Sequence, residues 1–104
     1  MRQGTIWINN EQAGILKETD EGYRFKYHTD YLNHKNAAAI ALSLPLQEKE
    51  FQSEYLFPFF DGLIPEGWLL EIAHKNWKLN PRDRMGLLLT TCHDCIGNIS
   101  VREI

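Results

Sequence analysis

Apolar and polar residues alternate through the first quarter of the chain, and the period changes further on. Thr5-Ile6-Trp7-Ile8 is β-branched and aromatic, and Asn9-Asn10 offers a turn. Ala13 to Lys17 reads as the returning strand of a hairpin, and Asp20-Glu21-Gly22 as a second turn. Tyr23-Arg24-Phe25-Lys26-Tyr27 alternates with period two, which suits a strand with one buried face. These segments predict a three-stranded antiparallel meander.

The middle of the chain is less regular. Thr29 to His34 predicts one helical turn, ended by Asn36. Ile40 to Leu44 is apolar and leads into Pro45, which predicts a short strand or extended segment. Gln47 to Gln52 reads as a polar loop. Three helical segments follow. In the first, Ser53 is a candidate cap, the helix uses Tyr55, Leu56, Phe59 and Phe60, and Phe51, Tyr55 and Phe59 recur every fourth residue as a core stripe does. Phe57 falls off that stripe, on the exposed side. Pro58 should shorten or kink this helix, because it has no N–H for the fourth residue back. The second helix spans Pro65 to about Trp77, with Leu69, Ile72, Ala73 and Trp77 on one stripe. The third opens with Asn80 as cap and Pro81 at its first position, and buries Met85, Leu88 and Leu89. Cys95 to Arg102 predicts a last strand that joins the meander. The fold expected is α+β: a small antiparallel sheet or barrel, N-terminal meander plus C-terminal strand, covered by about three helices.

Composition narrows this to one domain over residues 1–104. The chain has 104 residues, 43% hydrophobic and 12% aromatic, enough for a single core. Net charge is −3, and the basic residues are scattered in sequence, Arg24, Lys26, Lys35 and Lys49 among them. The densest basic spot is Arg82 with Arg84. Direct DNA binding is not expected, since phosphate neutralisation needs a clustered Lys/Arg surface. The start of the chain leads straight into a strand pattern, with no apolar signal core. No run approaches the ~18 apolar residues of a membrane span. The expected compartment is the cytoplasm, with no membrane contact.

Phe59-Phe60-Asp61-Gly62-Leu63-Ile64-Pro65-Glu66-Gly67-Trp68 is the richest segment. An aromatic pair closes one apolar stretch, Asp61-Gly62 turns, Leu63-Ile64 re-enters the core, and Pro65 opens a helix. With the stripe centred on Leu69, Ile72 and Ala73, Trp68 and Leu70 lie ~100° to either side at ~100° per residue. That is more apolar circumference than one core face needs, and the excess points to a partner surface. Trp is also the commonest interface anchor. Pro65, Glu66, Gly67, Trp68, Leu70 and Glu71 are the candidate partner-binding residues.

Catalytic chemistry finds little support. Cys92-His93-Asp94-Cys95 has Cys-x-x-Cys spacing, but it follows a helix and precedes a strand, the reverse of a thioredoxin-like site. Zinc would need two further ligands beside Cys92 and Cys95, and there is no second cysteine pair. A small redox or metal protein is thus the weakest reading, and a disulfide runs against the cytoplasmic expectation. His28, His34, His74 and His93 are dispersed. Asp83 and Glu71 read as helix-cap and surface groups. No Gly-rich phosphate loop, phosphate-binding Lys motif or His-Arg-Asp run occurs, so no ATP chemistry, cofactor or metal is expected.

Ser43-Leu44-Pro45-Leu46, the Phe60-to-Gly67 segment and Asp94-Cys95-Ile96-Gly97-Asn98-Ile99 stand in an order and spacing that resemble the N-terminal subdomain of the HipA family of bacterial Ser/Thr kinases. The resemblance runs from Ile6 to Val101; at the last element only Asp94 and Gly97 match, and the cysteines carry no family role. It implies a stand-alone version of that subdomain, like the small HipS-type antitoxin of the tripartite HipBST toxin–antitoxin modules. Such a protein would bind a HipT-like kinase directly and neutralise it. A separate HipB-like helix-turn-helix subunit would contact operator DNA. A scaffold that links kinase to DNA-binding subunit without inhibiting is the alternative.

Overall fold

The computed structural model describes residues 1–65, 67, 82–92 and 98–104. Three strands open the fold: β1 (Gln3–Ile8), β2 (Glu11–Thr19) and β3 (Gly22–Tyr27). They form the meander that the alternation predicts. Asn9 and Asn10 both have positive φ, 50° and 65°, in the two-residue loop between β1 and β2. That is the primed turn whose twist matches a hairpin, and Asn tolerates it. At the next turn Gly22 has φ 138°, and a Cβ there would collide with the Ser53 carbonyl. Glycine is required by both conformation and space.

The other described elements are α1 (Thr29–Leu32), β4 (Phe51–Ser53), α2 (Pro58–Asp61), α3 (Arg84–Thr91) and β5 (Ile99–Glu103). The strands form one antiparallel sheet in the order β4-β3-β2-β1-β5. The final strand therefore joins the meander through β1, as expected. Among the described residues the sheet is open, with β4 and β5 at its two edges and no pairing between them that would close a barrel.

One face of the sheet carries the core. The row Val101–Ile6–Gly14–Tyr27 is buried, as are Leu16 and Phe25. Met85, Leu87, Leu88 and Leu89 of α3 pack among the core residues, with Phe60 of α2. Phe25 sits at the centre of an aromatic cluster, with ring centroids 4.9 Å from Tyr27, 5.4 Å from Phe60 and 6.2 Å from Phe51. A bulge between Ile6 and Trp7 lets Ala13 and Gly14 both be buried in succession on β2.

Several local expectations for residues 40–60 are corrected. Ile40 to Leu44 is a tight turn with a single bridge between Ala41 and Leu44, not a strand. Its backbone is satisfied by a side chain: the Tyr27 hydroxyl donates to the Leu44 carbonyl and accepts from the Ile40 N–H at 3.1 Å. Phe51 to Ser53 pairs with β3 as a strand, where a polar loop and a helix cap are expected. The helix after it begins only at Pro58, its first residue, where the missing N–H costs nothing. The stripe fails at Tyr55, while Phe51 and Phe59 do pack against the core. Tyr55 is 78% exposed and Phe57 only 7%. Residues 51–57 precede the helix, so a helical period does not describe them.

A double ion pair ties the ends of the domain together. Arg2 donates two hydrogen bonds of 2.7 Å to Asp83, and bonds of 3.0 and 2.7 Å to Glu18. Asp83 is the cap of α3 and accepts from the Gly86 N–H at 3.1 Å. The cap expected at Asn80 is thereby replaced by Asp83, while Asn80 and Pro81 lie outside the described residues. The guanidinium holds both carboxyls below their usual range, chiefly through those hydrogen bonds.

Candidate functional site: the turn after the second helix

The segment that leads into the candidate partner-binding residues is held from three sides. α2 ends at Gly62, whose N–H bonds the Pro58 carbonyl at 2.9 Å. The next two residues tighten the turn, Leu63 N–H to Phe60 and Ile64 N–H to Asp61. Both side chains are buried. Short i→i+3 bonds of this kind satisfy helix-end carbonyls while turning the chain inward. From the far side, Cys92 Sγ lies 3.2 Å from the Leu63 carbonyl oxygen. The Cys92 carbonyl in turn accepts from the Val101 N–H at 2.7 Å. The turn is thus braced against the α3 end and β5 together.

After this anchorage the chain emerges. Pro65 is half-buried, and Gly67 is exposed with open space where a Cβ would stand. Among the described residues nothing near Gly67 demands glycine for want of room. Of the candidate partner-binding residues, Pro65 and Gly67 lie at this emergence. Glu66, Trp68, Leu70 and Glu71 lie outside the described residues, as does the helix expected to Trp77.

An open groove of about 450 Å³ flanks α2. Tyr23, Tyr55, Leu56, Pro58, Asp61, Arg82 and Arg84 line it, with Glu54. Arg84 Nε donates to Asp61 Oδ1 at 2.6 Å, so the start of α3 is clamped to the end of α2. Tyr55 is the groove residue that the helical stripe misplaced. The signal available was Pro58: a helix beginning there leaves Tyr55 in extended chain and frees it from the core.

Cys92 is fully buried and disulfide-bonded, with its partner outside the described residues. This corrects the expectation of reduced cysteines. That expectation rested on compartment, whereas bonding depends on two thiols being brought within reach. Among the described residues no group of His, Cys, Asp and Glu is arranged to hold a metal. No helix among them is long and apolar enough to cross a membrane.

Comparison with known proteins settles the class. Residues 4–102 match the model of the HipA N-terminal domain family. The solved structure of an N-terminal domain of HipA toxin superposes with a TM-score of 0.78 at 29% identity, covering 100% of this chain and 93% of that one. An uncharacterized protein of Haemophilus influenzae is 30% identical over 103 residues, 99% of this chain and 93% of its own length. The chain belongs to the HipA N-terminal domain family.

Proposed function

We propose that this chain is a HipS-like antitoxin: a non-enzymatic binding protein that docks on a HipA-like Ser/Thr kinase and holds it inactive. The observation that carries the reading is the turn. Leu63 and Ile64 are buried in the core while Pro65 and Gly67 emerge beside them, so the start of the candidate segment stands on an anchored base. A preorganised turn loses little entropy on docking. Membership of the HipA N-terminal domain family supports a HipA-like kinase as the kind of partner, and the Haemophilus influenzae relative is a protein of nearly the same length. Within a larger assembly a HipB-like subunit would contact DNA.

In mechanism, Trp68 acts as a wedge near the kinase's nucleotide cleft and keeps its ATP-covering loop from closing. Truncating a buried indole anchor costs ~2–4 kcal/mol, which weakens binding by a factor of roughly 30 to 1,000. Trp68→Ala should therefore release kinase activity in co-expressing cells while circular dichroism stays native. Leu69→Ala, on the apolar stripe of the sequence, should instead lose folding. A Trp68→Ala protein that unfolds, or that still neutralises the kinase in full, removes the wedge. Normal kinase activity in the intact complex would favour the scaffold role over inhibition.

A further inference from the structure

The second face of the sheet carries a charge pattern that the sequence conceals. Residues paired across a ladder share a face, so Arg102, Thr5, Ile15 and Lys26 form one row. Gln3, Lys17, Arg24 and Gln52 form the next. Both rows lie opposite the buried Val101–Ile6–Gly14–Tyr27 row. Four cations far apart in sequence thus stand together, with Arg102 and Lys26 ~14 Å apart at three strand spacings. Lys17, Lys26 and Arg102 are exposed, and among the described residues none has an ion-pair partner. Arg24 alone is paired, to Glu50 at 3.3 Å. Other acids stand at the margins: Asp30 beyond His28 at the start of α1, and Glu21 and Glu54 in the groove beside Arg24 and Gln52. Half-buried Trp7 and Ile15 lie between the cations, and among the described residues no helix covers them.

We infer that this face is a docking surface for an acidic protein segment, separate from the turn that faces the kinase. Charge complementarity selects an anionic partner, for a protein whose net charge is −3 keeps on one patch three cations that have no ion-pair partner among the described residues. The aromatic geometry selects carboxylates over nucleic acid. The Arg102 guanidinium lies 4.6 Å over the Trp7 ring, so a base could stack there only by displacing it. A carboxylate needs no such displacement, since it takes the outer donors of the same guanidinium. A cation rim around a part-apolar centre is also the anatomy of a protein interface.

The test titrates the full ¹⁵N-labelled chain at low salt with a capped peptide of about 12 residues, Glu throughout but for two central leucines, an extended length of ~40 Å. Amide shifts should concentrate at Thr5, Trp7, Ile15, Lys17, Lys26 and Arg102. The triple variant Lys17→Glu, Lys26→Glu, Arg102→Glu should weaken binding about tenfold or more. Lys26→Glu alone, at an exposed strand position, gives the same direction if the triple variant misfolds. Glu50→Gln, which frees Arg24, should tighten it. A footprint elsewhere, no saturable binding up to about 1 mM, or an oligothymidylate of equal charge binding the same residues as tightly would overturn the inference.

Discussion

Residues 3–27 and residues 37–65 are of similar length and both feed the core, yet they are held in different ways. The first segment is held by ladders, each strand satisfying its neighbour's backbone at regular intervals. The second contains only a three-residue strand and one turn of helix. It is fixed by side chains reaching across from elsewhere. Tyr27 holds Ile40 and Leu44, and Tyr31 holds both backbone groups of Ala38, donating at 2.7 Å and accepting at 3.2 Å. In the irregular segment, tyrosine hydroxyls thus take the place that ladder bonds hold in the regular one. The two modes differ in how far one substitution spreads.

The largest effect is expected where the segments meet. Phe25 is fully buried, touching Phe51 and Phe60 from the second segment. Phe25→Ala should cost ~3–5 kcal/mol by cavity formation, measured as a loss of denaturant midpoint at constant slope. A loss below 1 kcal/mol would mean that the two segments do not share one core.

Tyr27→Phe sharpens the comparison directly. The ring stays, while the Ile40 N–H and Leu44 carbonyl lose their partner in the core. The expected cost is ~1–3 kcal/mol, the range for buried groups left unsatisfied. Hydrogen exchange should accelerate at Ile40 and Leu44 and remain slow at Phe25 and Leu16. Equal acceleration in both segments would show that the hydroxyl does not set the difference.

Asp83→Asn isolates the charge that ties β2 to the start of α3, since Asn also caps helices. The groups involved are about one-third exposed, so solvent screening holds the expected cost to about 1 kcal/mol at neutral pH. Asp83 has a depressed folded-state pKa, so its contribution is present above the ordinary carboxylate range. It is lost as pH falls through and below that range. Stability curves of the two proteins should therefore converge in acid. Curves that stay parallel would deny the ion pair its role.

The smallest effect tests the misplaced stripe. Tyr55→Ala should change stability by no more than about 0.5 kcal/mol, as for exposed positions. Phe57→Ala, two residues on, should cost ~3–5 kcal/mol. The reverse order in thermal melts would restore the helical stripe.

The sequence by itself determined the meander, the final strand, the inner face of α3 and the family. Period-two alternation and turn residues act over a few positions, and a side-chain face follows from backbone geometry alone. The segment Leu63-Ile64-Pro65 was legible for the same reason, as two apolar residues before a proline. Tertiary structure alone decided the rest. Tyr27 chooses a turn over a strand at Ile40–Leu44, because a buried hydroxyl can satisfy two backbone groups that no local pattern records. Arg2 selects Asp83 from 81 positions away. Lys17, Arg24, Lys26 and Arg102 become one surface because ladder register, and not sequence spacing, sets which charges stand side by side.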